Sequence, residues 1–106
     1  MALTKDEIIQ EVKPLLVDLK KRHDIKEAFL FGSYARGNPG EYSDVDVALV
    51  LGSVRNGSPF DEIFEIFHEA QRHDSRLEVV CFREEEFSRG DTTLSRYIKR
   101  EGVRIL

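Results

Sequence analysis

Residues 28–51 read AFLFGSYARGNPGEYSDVDVALVL, and the fold turns on this stretch. Ala28 to Phe31 is wholly apolar and halts at Gly32, the pattern of a short buried strand with a turn at its end. Gly37, Asn38, Pro39 and Gly40 mark a loop, after which Val45, Val47, Ala48, Leu49, Val50 and Leu51 form a second, largely β-branched strand ending at Gly52. Asp44 and Asp46 open that strand. Side chains alternate along a strand, so a separation of two places both carboxylates on one face. Val45, Val47, Leu49 and Leu51 fill the opposite face, and Ala48 and Val50 continue the aspartate face as apolar.

Two carboxylates about 6–7 Å apart repel by roughly 2–3 kcal/mol at an effective dielectric of about 20. A chain keeps such a pair at the rim of a buried strand only with compensation, and a divalent cation supplies it. Mg²⁺ suits hard oxygen ligands that are few in number, because it keeps several waters and takes the rest of its shell from substrate phosphates. The pair therefore points to nucleotide chemistry. Between the strands, Ser33 to Arg36 can form one helical turn whose first N–H groups are free, with Gly32 allowing close approach and the Ser33 hydroxyl within reach of a phosphate oxygen. Arg36 would add a fixed positive charge. Neither G-x-x-x-x-G-K-[ST] nor G-x-G-x-x-G occurs, so a P-loop and a dinucleotide-binding turn are both excluded.

Before this stretch, Thr4 to Glu7 forms a T-x-x-E capping box ahead of Ile8, Ile9, Val12, Leu15, Leu16 and Leu19, which repeat with a helical period. Pro14 lies inside this first helix and predicts a kink or a break into two pieces. After it, Ser58 caps a helix with Pro59 at its first position and Asp61 and Glu62 in its first turn. Phe60, Ile63, Phe64, Phe67 and Ala70 are expected to be its buried face. Leu77 to Phe82 reads as a third strand and Thr92 to Arg100 as a last helix ending near Gly102. The order helix, strand, short helix, strand, helix, strand, helix is of the α/β (α+β) class, a small sheet with helices packed against it.

A chain of 106 residues with 41% hydrophobic content suits one domain over 1–106. A formal charge of -4 argues against coating a nucleic-acid backbone, so a nucleic-acid partner is not expected. Cys81 is the only cysteine, which excludes intramolecular disulfides and zinc clusters and fits a reducing cytoplasm. No apolar run approaches the roughly 20 residues of a membrane span, and Met1 to Gln10 lacks the pattern of a signal peptide, so a cytoplasmic location is expected.

LFGSYARG followed by SDVDVALV, with ten residues between Ser33 and Asp44, resembles the signature of the polymerase-beta-like nucleotidyltransferases. It is similar in particular to the minimal nucleotidyltransferases of prokaryotes, among them the MNT antitoxins. The resemblance implies the polymerase-beta-like fold, a small mixed sheet flanked by helices. It implies that Asp44 and Asp46 bind one or two Mg²⁺ ions and that Gly32 and Ser33, with Arg36 beside them, hold the triphosphate of ATP. It also implies a third carboxylate from a later strand, which Glu78 matches in position, although that member is often aspartate. Glu84, Glu85 and Glu86 are an alternative source, read more simply as a solvated run at a strand end. Such proteins are often encoded beside a small helical HEPN-domain toxin and transfer AMP to one of its tyrosines. The resemblance therefore implies an antitoxin acting by protein adenylylation. The other readings are an idle binding module that neutralises a helical partner by occlusion, and transfer to a small molecule or an RNA end. The apolar residues Val103, Ile105 and Leu106 would pack back onto the sheet or serve a partner.

Overall fold

The computed structural model describes residues 3–53 and 57–106. Helix α1 (Lys5–Arg22) starts at Thr4, whose hydroxyl accepts from the Glu7 amide while the Glu7 carboxylate accepts from the Thr4 amide. It runs through Pro14 as one helix and is not broken into two pieces there. Pro14 is exposed, and Ile8 and Val12 before it and Leu15, Leu16 and Leu19 after it are all buried in one core. Burial on both sides of the lost hydrogen bond outweighs its cost of about 3 kcal/mol, since each such side chain contributes about 1.5–3 kcal/mol.

Strand β1 (Ile25–Phe31) leads into the single turn α2 (Ser33–Arg36), and β2 (Val45–Leu51) returns antiparallel to β1. Helix α3 (Pro59–His73) crosses over to β3 (Leu77–Arg83), which lies parallel to β2 with Asp46 opposite Glu78. Two short elements follow β3: α4 (Glu84–Arg89) and α5 (Thr93–Glu101), and β4 (Val103–Arg104) closes the chain's path on the free edge of β1. The sheet order is β3-β2-β1-β4, mixed as expected. On one face Val45, Val47, Leu49 and Leu51 pack with α1 and with Tyr34, Ile66 and Ala70. On the other, Ala48 and Val50 pack with Phe31, Phe87 of α4 and Ile98 of α5. Among the described residues no helix is long and apolar enough to cross a membrane.

The expected buried face of α3 is corrected. The buried face of α3 is Glu62, Ile66 and Ala70, whereas Phe60 is 83% and Phe64 65% exposed, with Ile63 and Phe67 partly so. The register is set by Glu62, fully buried beside the His23 imidazole with 3.0 Å between Oε2 and Nδ1, an anchor that hydrophobicity alone ranks last. The ranking of α3 substitutions should follow this register. Ile66→Ala is expected to cost about 2–4 kcal/mol by cavity formation and Phe60→Ser less than about 0.5 kcal/mol, both by chemical denaturation. If Phe60 proves the costlier of the two, the register is wrong.

Glu84 and Glu85 are exposed, as a solvated run requires, and with Glu86 they form the first turn of α4, where acids suit the helix dipole. Finally, the terminal apolar residues pack back. The Ile105 amide donates to the Ala28 carbonyl, the Ala28 amide donates to the Leu106 carbonyl, and Ile105 is buried. The lone thiol, Cys81, is pushed up to about 12 by burial, with Glu62 adding to the shift, so it packs rather than reacts.

Candidate active site

The β1–β2 hairpin brings the expected residues together. Phe31, the last residue of β1, pairs across the ladder with Asp46. Gly32 then turns away with φ +77° and ψ -153°, a backbone conformation open essentially to glycine alone. Its α-carbon lies against the Asp46 carboxylate so closely that an added Cβ would overlap Oδ2 and stand 3.2 Å from Cγ. Alternation on β2 and the ladder on β1 thus fix the distance between the acids and the turn.

Tyr34 holds α2 in place by burying its side chain in the main core, and Gly37, in the left-handed conformation at φ +80°, ends the turn. The Arg36 amide is taken by the Gly32 carbonyl, whereas the amides of Ser33, Tyr34 and Ala35 stand at the start of the turn, where a helix offers no internal acceptor. Ser33 is half-buried and Arg36 exposed at the end of the turn.

Asp46 is half-buried, with Asp44 and Glu78 exposed beside it. The Asp46 carboxyl is pushed above the usual carboxylate range, first by burial and then by the charges of Asp44 and Glu78, against which Arg36 acts in the opposite direction. The other three sequence-expected charged groups, Asp44, Glu78 and Arg36, therefore all act on Asp46. Among the described residues, none of the three acids is in a hydrogen bond or ion pair, and no three acids, histidines or cysteines converge into a ready-made ion cage. Acids that crowd one another without a protein cation in contact are a donor set that suits a divalent ion sharing its shell with water and phosphate. The residues fit Mg²⁺ in that respect.

Tyr97 on α5 is a neighbour of the site with no signal in the local sequence. Its hydroxyl accepts from Arg36 Nη1 at 2.6 Å, and its ring stands edge-on to Phe31 with centroids 6.5 Å apart.

A family model described as polymerase beta nucleotidyltransferase matches residues 11–106. The chain belongs to that family. Its nucleotidyltransferase domain is 39% identical over 44 residues to a proposed protein adenylyltransferase of Methanocaldococcus jannaschii, a match covering 42% of this chain. That match spans about half of the relative, 47% of its length. In fold, the domain is similar to a chain from a toxin-antitoxin crystal structure with AMP-PNP, with a TM-score of 0.66 and 20% identity. That likeness covers 92% of this chain and 72% of the other chain. It is similar also to a chain from the tri-AMPylated Shewanella oneidensis HEPN toxin in complex with MNT antitoxin, with a TM-score of 0.58 and 18% identity, covering 97% of this chain and 72% of that chain. These likenesses confirm the nucleotidyltransferase fold expected from the paired motifs.

Proposed function

We propose that the chain transfers AMP from ATP to a hydroxyl, that of a tyrosine on a HEPN-type partner toxin, and so acts as its antitoxin. The observation that carries this reading is the apposition of Gly32 to Asp46, which sets a turn with unsatisfied amides against the acids of β2. The likeness to a proposed protein adenylyltransferase and to toxin-antitoxin structures supports the choice of acceptor.

In the reaction proposed, the acceptor oxygen attacks the α-phosphorus, the bond from that phosphorus to the bridging oxygen of pyrophosphate breaks, and the hydroxyl proton leaves. The free amides of α2 and the Ser33 hydroxyl would hold the β- and γ-phosphates, which leaves the α-phosphate over the acids of β2. Asp44 and Asp46, with Glu78 beside them, would hold Mg²⁺. When bound, the ion would neutralise the triphosphate and the developing charge on the leaving group. Glu78, exposed and next to Asp46 across the parallel ladder, would take the acceptor proton. Arg36 would counter the phosphate charge from the end of the turn, where it already opposes the acids.

ATP labelled at the α- or the γ-phosphorus separates this from other chemistry. Incubated with the protein, Mg²⁺ and a co-expressed helical partner, α-label is expected on the partner's tyrosine and γ-label is not. EDTA should abolish labelling and excess Mg²⁺ restore it. Transfer of γ-label, or α-label that resists EDTA, would overturn the reading.

A further inference from the structure

The geometry points to Tyr97 as a positioning residue for Arg36, supplied to the phosphate-holding turn by a helix 61 residues further along the chain. This rests on the nucleotidyltransferase reading of the site. An arginine at the exposed end of a one-turn helix has four side-chain torsions and no intrinsic reason to point at a triphosphate. Here Nη1 donates to the Tyr97 hydroxyl at 2.6 Å, which fixes the guanidinium at one end while its charge still reaches Asp46.

The phenol is itself held from several sides. Its ring packs edge-on against Phe31, the ladder partner of Asp46, and lies partly buried against the core that holds Phe87 and Ile98. The helix that carries it is fixed at both ends of its burial. Ser95 and Thr92 cap one another, Ile98 is fully buried, and Lys99 lies 5.3 Å over the Phe87 ring while donating to the Ser88 carbonyl at 2.6 Å. Tyr97 therefore couples α5 to α2 through one hydrogen bond and couples α5 to β1 through ring packing. Removing the hydroxyl alone breaks the first link and spares the second, which makes Tyr97→Phe the informative change.

Two measurements on the full chain test this: ¹⁵Nε relaxation of Arg36 without nucleotide, and calorimetric affinity for Mg²⁺-ATP. In Tyr97→Phe the Arg36 side chain is expected to become mobile and ATP affinity to fall by about 3- to 10-fold, the size of one positioning hydrogen bond. The melting temperature should hold, and Arg36→Ala/Tyr97→Phe should bind no more weakly than Arg36→Ala alone. If Arg36 stays rigid in Tyr97→Phe, or if the two substitutions weaken ATP independently, the positioning role is overturned while the nucleotide site stands. If the parent protein itself binds no Mg²⁺-ATP, the reading of the site falls and the inference with it.

Discussion

Asp46→Asn is expected to reduce AMP transfer by on the order of 10²–10³-fold or more while the protein stays folded and gains stability. The two effects have one cause. Asp46 is half-buried and faces Asp44 and Glu78, and burial and like charge both raise its carboxyl above the usual range. Its ionised form is therefore disfavoured in the native state relative to the unfolded chain. With EDTA present, the native protein should keep the whole of the Asp46 contribution to its stability below the unfolded carboxylate range. It should lose stability as pH rises through the raised value, because Asp46 then ionises in the fold at a cost that the unfolded chain does not bear. Asparagine keeps the shape and removes that component, so the variant's melting temperature should depend less on pH over the same interval. A variant that transfers as well as the parent would remove Asp46 from the chemistry. One that melts lower at neutral pH would show that the carboxylate is satisfied, contrary to the geometry.

Gly32→Ala is the second large effect. Its conformation, at φ +77° and ψ -153°, costs a residue with a side chain about 1–3 kcal/mol. The new methyl must also displace the Asp46 carboxylate, which it would overlap. A shift of about 1 Å in a reacting geometry costs on the order of 10²-fold in rate, so transfer should fall at least that far even in molecules that remain folded. Gly37 provides the control. It too has a positive φ, at +80° in the left-handed region, but nothing lies within 4 Å of an added Cβ, so Gly37→Ala should cost about 1 kcal/mol and leave transfer nearly intact. Denaturation and labelling assays on the two variants separate strain from collision. Equal losses of activity would mean that contact with Asp46 does not matter.

The hairpin was legible in the sequence because its information is local. The alternation of Val45, Val47, Leu49 and Leu51, the halt at Gly32 and the spacing of two between the aspartates each specify backbone geometry without help from distant residues. Asp46 and Glu78 meet because parallel pairing of β2 and β3 places them in register, which the resemblance supplied and the spacing alone did not. The register of α3 was misread because its core side is anchored by a glutamate. Glu62 is buried beside His23, 39 residues earlier, and no window along α3 reveals that partner. Helix α4 was missed although its signals were present, an acidic first turn and Gly90 as a left-handed cap. A run of three glutamates carries charge but no apolar period that would mark a helix start. Strand β4, at two residues, is too short to show any period. Tyr97 could not have been found, because its relation to Arg36 exists only once α5 has packed onto the sheet.

Both the turn and the aspartates sit on strands that are each other's neighbours, with Phe31 and Asp46 as direct ladder partners. Fraying that spares this ladder leaves the acids and the turn in register, and opening that breaks it dismantles them together. Amide exchange along β1 and β2 should accordingly track loss of nucleotide affinity under rising denaturant, with no stage at which a half-formed centre persists to misdirect a reactive triphosphate.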